Sequence, residues 1–316
     1  MRKFLFILFV LAAAIGGTLY YFSSPDIPRA QLLAKYAVVP SQFINLADGA
    51  RVHVRDRGPR TAPALVLLHG SNASLFTWEP WVRRLDDSFR VVTIDLQGHG
   101  LTGAVPSRDY SERAMVRLVA EIAGRLGLTR FAIGGNSMGG AVAARFAEEY
   151  PERVTQLILI DAAGMKSKQG DRIPLAFRLA RIPVLNQILL HVTPRALVVE
   201  GLDDAVVRKV IIDDAMIDRY WDFARMEGTR EATLERFNLP QDDFVGSHAA
   251  RIAVPTLILW GEEDHLLPVE AARSWARAIK SARLIVYPAT GHLPQEEMAD
   301  KSAADVRTFL LATSRP

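Results

Sequence analysis

A serine, a histidine and an aspartate stand in this chain where they could carry out acyl transfer. Ser137 lies within Gly134-Gly135-Asn136-Ser137-Met138-Gly139-Gly140. Ahead of it, Arg130-Phe131-Ala132-Ile133 reads as the end of a buried strand, and behind it Ala141 to Tyr150 has strong helix propensity. A strand that meets a helix so abruptly leaves one residue in a strained conformation with its side chain pointing out of the turn. The residues two before and two after must lack bulk, and those positions are Gly135 and Gly139. The helix start also presents free N–H groups and a positive dipole end, which suit an oxyanion. A glycine-rich turn with an incidental serine is the plain alternative, so a base and an acid must come from elsewhere. Two later loops offer them: Gly261-Glu262-Glu263-Asp264-His265 and Thr290-Gly291-His292-Leu293.

The elements that must position these residues alternate between strand and helix. Ala64 to Leu68, Val91 to Asp95, Leu157 to Asp161, Thr256 to Trp260 and Leu284 to Tyr287 are continuous apolar runs, as expected of parallel strands covered on both faces. Tyr110 to Leu126, Val269 to Ile279 and Gln295 to Leu311 have helical periodicity. Gln42 to Leu46 and Arg51 to Arg55 flank an Asp48-Gly49 turn signal, with His53 on one face of the hairpin. This alternation predicts a mostly parallel α/β sheet with helices on both faces. Between residues 165 and 250 the strand rhythm stops. That stretch reads as a helical cap, with Ile173 to Leu190 interrupted by Pro174 and Pro183, and Asp203 to Arg225 continuously helical. The predicted organisation is a core of residues 41–164 and 251–316, the cap at 165–250, and a linker at 23–40 with a short helix from Arg29 to Tyr36. On this reading both candidate loops leave the carboxyl ends of strands, the same sheet edge as Ser137, where open α/β sheets bind ligands.

The 316 residues contain no cysteine, which excludes disulfides, thiolate metal sites and a cysteine nucleophile. The net charge is only +3 with no basic run, so nucleic acid is not an expected partner. The start is distinctive. Arg2-Lys3 precedes an uncharged run from Phe4 to Phe22, close to the ~20 apolar residues that a spanning helix needs. Tyr20 and Tyr21 sit where interfacial aromatics belong. Residues 1–22 therefore read as a hydrophobic membrane-anchoring helix with the catalytic domain outside the cytoplasm. The alternative is a signal segment cleaved near Ala12-Ala13-Ala14, giving a secreted or periplasmic protein.

From Ser41 onward the chain resembles the α/β-hydrolase superfamily, on His69-Gly70, Asp95 with Gly98-His99-Gly100, the serine turn, Gly261 to Asp264 and Gly291-His292. The resemblance implies Ser137 as nucleophile, His292 as general base and acid, and Asp264 holding His292 in the correct tautomer. It implies an oxyanion hole from the backbone N–H groups of Met138 and Ser71, and no cofactor or metal. Asp161, at the end of its own strand, is a rival for the acid. His69 and His99 read as bracing their loops, and Glu262, Glu263 and His265 as solvated loop residues. Three activities remain open. The first is a carboxylic ester hydrolase acting on a small apolar, possibly lipid-derived ester or acyl substrate. The second is a carbon–carbon bond hydrolase of the ring-cleavage-product type, which Gly135 to Gly140 resembles, although Leu293 stands where those enzymes usually carry tryptophan. The third is a non-enzymatic binding protein on a hydrolase scaffold. A diketo acid substrate would need a cation, for which Arg172, Arg178, Arg181 and Arg195 are the sequence candidates.

Overall fold

The computed structural model describes residues 23–165, 190–239 and 248–313, with isolated positions outside those ranges. Eight strands form one sheet: β1 (Ser41–Asn45), β2 (Arg51–Arg57), β3 (Ala64–Leu68), β4 (Arg90–Ile94), β5 (Phe131–Asn136), β6 (Val154–Ile160), β7 (Thr256–Gly261) and β8 (Ala282–Tyr287), in the order β1-β2-β4-β3-β5-β6-β7-β8. β1 and β2 pair antiparallel, β2 joins β4 antiparallel, and all later pairings are parallel. The central strands are buried on both faces, which explains their unbroken apolar sequences. Alternate residues serve different layers. Val66 and Leu68 join the cluster with Val119, Ile122, Val142, Phe146 and Trp275, whereas Leu65 and Leu67 join Trp78, Trp81, Leu85, Val306 and Phe309.

The strand order decides where a ligand can bind. From β3 the chain steps outward to β4, then crosses back over β3 to β5. The loops leaving β3 and β5 therefore diverge at the sheet's carboxyl edge and open a crevice between them. Leu68 of β3 pairs with Gly135 of β5, so His69-Gly70-Ser71 and Ser137 emerge side by side.

Helices follow the sequence reading in type and shift it at the ends. α1 is Arg29–Tyr36, α2 Glu79–Leu85, α3 Glu112–Arg125 and α4 Met138–Glu149. Ser111 starts α3 two residues later than expected because its side chain caps the Ala114 N–H. Between β6 and β7 lie α5 (Arg195–Ala205), α6 (Asp214–Ala224) and α7 (Thr229–Asn238). The helical stretch expected from Asp203 to Arg225 is divided, because Asp213 caps a new start by accepting from Met216 N–H. α8 is Val269–Ala278. The last helix is likewise split into α9 (Pro294–Glu297) and α10 (Ala299–Thr313).

Residues 23–37 differ from the expected linker, since they pack against the β6–β7 insertion. Ser24 N–H donates to His191 O (2.8 Å) and Ile27 N–H to Arg225 O (2.7 Å). Lys35 and Tyr36 both bind Asp222. Leu32 is buried with Phe76, Phe223 and Met226. Short apolar spacing on α1 was too weak a signal to reveal this docking. Among the described residues no helix is long and apolar enough to cross a membrane. The run Phe4 to Phe22 lies almost wholly outside them, as do Ile173 to Arg181 of the expected cap.

Candidate active site

Ser137 joins β5 to α4 with φ 53° and ψ −119°, a conformation that side chains normally avoid. The surroundings over-determine it. Its N–H donates to Ile160 O (3.0 Å), and its carbonyl accepts from Gly140 N–H and Ala163 N–H (3.0 Å each). The flanking glycines are required by contact. A Cβ on Gly135 would stand 2.2 Å from Gly139 O, and one on Gly139 would stand 2.3 Å from Leu68 O. Ser137 is half-exposed while the residues on either side of it are buried. Met138 N–H is the first amide of α4, one that the helix cannot satisfy internally.

The loop after β8 carries His292, and three bonds from different parts of the fold orient it. Its N–H donates to Ala205 O at the end of α5 (2.7 Å). Its carbonyl accepts from Asn136 Nδ2 (3.0 Å), the residue before Ser137. Its Nδ1 lies 2.7 Å from Asp264 Oδ2. Asp264 Oδ1 accepts from the N–H groups of Leu266 and Leu267, so the carboxylate is fixed before it meets the ring. A neutral imidazole beside a carboxylate keeps its proton on Nδ1 and leaves Nε2 as a base. Among the described residues no hydrogen bond joins Ser137 Oγ to His292. The two are instead tied through Asn136.

Asp161, the rival acid, is fully buried. Its Oδ1 accepts from Gly261 N–H (2.9 Å), and Oδ2 has no hydrogen-bond partner. Burial, reinforced by the neighbouring Asp264 charge, pushes its carboxyl well above the usual range. Asp161 is thus a buried carboxyl whose ionisation is disfavoured, packed behind the pair, and His292 Nδ1 points to Asp264. These side chains form a trio of potential metal-ligating atoms within 4.8 Å of one another, two of which are already hydrogen-bonded together.

The loop after β3 leans on the serine, since a Cβ on Gly70 would stand 3.2 Å from Ser137 Cβ. Ser71, the expected second oxyanion donor, follows it. His69 holds this loop to the one after β4, and His99 braces that second loop from within. His69 Nδ1 donates to Gly70 O, and its Nε2 accepts from Leu96 N–H. His99 Nδ1 donates to Gln97 O. Burial lowers the pKa of both, that of His99 well below the usual value, so both are neutral braces. Asp95 anchors the same region, accepting from Leu75 N–H, Leu101 N–H and His53 Nδ1. Burial opposes its ionisation, yet His53 and these donors hold its carboxyl below the ordinary range. His53 lies on one face of the β1–β2 hairpin, as expected, and there it is the buried partner of Asp95. Glu262, Glu263 and His265 are exposed.

Three contributors escaped the sequence reading. Asn136 was seen only as part of the glycine run. Glu297 accepts from Gly291 N–H beside His292 and from Val207 and Arg208 N–H in the insertion, linking the two segments. Arg236 of α7 donates from Nη1 to Ser71 Oγ (3.1 Å). In a linear sequence each looks like an ordinary loop or helix polar residue. Of the cations considered for a substrate carboxylate, Arg195 is engaged by Asp214 and Asp218, and Arg172, Arg178 and Arg181 lie outside the described residues. A cavity of about 100 Å³ lies beside the β3 loop, between Asn72, Ala73 and His99 on the core and Thr233, Leu234 and Phe237 on α7. It does not include Ser137, but it begins one residue beyond Ser71.

Known proteins resemble the chain across most of its length. It is 27% identical over 282 residues to a 2-hydroxy-6-oxononadienedioate/2-hydroxy-6-oxononatrienedioate hydrolase of Klebsiella pneumoniae, covering 85% of this chain and 95% of that protein. The enzyme of the same name from Burkholderia vietnamiensis is 29% identical over 285 residues, with the same coverage. Among solved structures, a bacterial membrane phospholipase A, described as a virulence factor, superposes with a TM-score of 0.77 at 25% identity, each chain covered in full. The sequence pattern of the family described as alpha/beta hydrolase fold matches residues 63–299. With that match spanning most of the chain, and with the sheet order and serine turn above, the protein belongs to the α/β-hydrolase family and is a hydrolase.

Proposed function

We propose that the protein is a serine hydrolase of carboxylic esters, including lipid-derived ones, working through an acyl-enzyme. The observation that carries the reading is the convergence of three parts of the chain. A strained Ser137 sits at the head of α4, and Asn136 beside it grips the loop in which His292 already holds Asp264 at 2.7 Å. In the reaction Ser137 Oγ attacks the acyl carbon as His292 Nε2 takes its proton. The Ser137–His292 contact closes when substrate is bound, since such bonds are commonly long beforehand. The N–H groups of Met138 and Ser71 receive the developing oxyanion. His292 then protonates the departing alcohol, and water, deprotonated by the same histidine, releases the acid. The likeness to a phospholipase A at 25% identity supports an ester substrate.

Carbon–carbon hydrolysis is the second reading, favoured by the printed activity of the Klebsiella and Burkholderia relatives. One comparison separates them. Aryl esters from C2 to C12 should show kcat/KM rising about tenfold for each two methylenes until the pocket is full, at ~0.8 kcal/mol per buried methylene. A vinylogous diketo acid should be turned over more slowly than the best ester. A flat ester series with fast diketo acid cleavage would transfer the assignment to the second reading.

We further propose that residues 1–22 hold the catalytic domain at a membrane, outside the cytoplasm. Full-length protein should then sediment with membranes and resist carbonate extraction, and a chain beginning near Pro25 should not. A mature N-terminus between Ile15 and Ser24, found by N-terminal sequencing, would mean that the segment is cleaved.

A further inference from the structure

Arg236 is an anomaly: the residue is half-buried, yet two of its three guanidinium nitrogens are fully enclosed. Its Nη1 donates to Ser71 Oγ, but Nε and Nη2 are shut off from water and have no hydrogen-bond partner. Among the described residues no carboxylate lies within ion-pair distance of it, and its neighbour Glu235 is engaged by Arg108. The two nearby imidazoles, His69 and His99, are neutral and offer no compensating charge. A guanidinium in this position keeps its charge at neutral pH even though burial pulls its pKa down to about 10. Uncompensated buried charge is costly, and folds rarely keep it without a use.

The geometry of the open donors indicates that use. Nε–H and Nη2–H form one edge of the guanidinium plane, the fork that matches two oxygens of a carboxylate or phosphate. Nη1, on the other edge, is held by Ser71, and the ring of Phe237 lies 4.4 Å beneath the guanidinium carbon. The fork is therefore pre-oriented. It stands beside the loop expected to donate to the oxyanion. The residues that follow Ser71 and Arg236 in the chain, Asn72 and Phe237, both line the neighbouring cavity.

We propose that Arg236 is the anion-binding element of the substrate pocket, receiving a carboxylate or phosphate that the substrate carries near its scissile carbonyl. This rests on the serine-hydrolase reading for its placement, and it narrows the substrate class to acyl compounds with an anionic oxygen group. Both a diacid half-ester and a phosphate-bearing ester meet that description.

The test uses the full chain and three aryl esters of matched length, whose acyl groups end in methyl, carboxylate or phosphate. In the unaltered protein at least one anionic ester should exceed the methyl ester in kcat/KM, and the larger ratio identifies the anion. Arg236→Met should lower that ratio by about 10- to 100-fold, the size of a lost charge-assisted hydrogen bond. Arg236→Lys should restore only part of it, because an ammonium lacks the fork. It also serves as the test variant where Arg236→Met does not fold. An unchanged ratio in these variants would overturn the proposal, and so would an equal loss on all three esters. Calorimetric binding of glutarate and inorganic phosphate to Ser137→Ala protein needs no turnover, so it separates this proposal from the hydrolase reading. Binding that Arg236→Met abolishes would sustain the subsite even if no ester is cleaved. Binding indifferent to Arg236 would remove it.

Discussion

Ser137→Ala protein should be folded and lose about four to six orders of magnitude in kcat/KM on its best ester. The loss is large because the nucleophile has no substitute. The hydroxyl of Ser71, on the loop that leans on Ser137, is held by Arg236. The fold should barely notice. Ser137 makes its structural bonds through backbone N–H and C=O, its side chain caps nothing, and alanine keeps the Cβ. Unfolding midpoints of the two proteins should therefore agree closely. An aryl phosphonate should add one covalent label to the unaltered protein, at Ser137 by peptide mass, and none to the variant. A folded Ser137→Ala protein with near-normal turnover would remove the serine-hydrolase reading altogether.

The central sheet was legible in the sequence because its strands are buried on both faces, and a buried parallel strand has little choice but Val, Ile and Leu. The serine turn was legible for a similar reason. Backbone approaches of 2.2 to 2.3 Å to any added Cβ admit only glycine at 135 and 139. What could not be read were roles set by tertiary partners. His53 alternates with valines in a hairpin strand, and nothing in that pattern shows that its face is buried against Asp95. Glu297 resembles a solvated helix charge, yet it holds the amides of Gly291, Val207 and Arg208. The docking of residues 23–37 depends on Asp222, almost 200 positions away, and no local pattern announces it.

Glu297 and Ala205 also show how the insertion and the chemistry are joined. His292 N–H donates to Ala205 O, and Glu297 bridges the residue before His292 to the two residues after Val206. The end of α5 and the His292 backbone are thus coupled directly through hydrogen bonds.

Asp264→Asn should reduce kcat by about 10⁴-fold, whereas Asp161→Asn should change it by less than about tenfold. An asparagine at 264 would present either an oxygen without charge or an amide that repels the Nδ1 proton, so the ring loses both its tautomer and the support for its imidazolium form. Asparagine imitates the neutral form of Asp161, which burial and then the Asp264 charge favour, and it keeps an oxygen for Gly261 N–H. A pH series tests the distinction independently. A carboxyl whose folded pKa is raised binds its proton in the native state while the unfolded chain ionises near pH ~4. Its stability contribution is therefore complete below that pH and is lost as pH climbs toward the folded value. Asparagine cannot ionise, so the unfolding midpoint of Asp161→Asn, taken relative to the unaltered protein, should rise as pH climbs above the unfolded value and level off once it passes the raised folded one. The Asp264→Asn change should also lower the Asp161 pKa, because the second cause of its raised value disappears while burial, the larger one, remains. Asp161 can then partly stand in for the missing carboxylate, and the double variant should fall below either single one. If instead Asp161→Asn abolished turnover while Asp264→Asn left most of it, Asp161 would be the residue that orients His292.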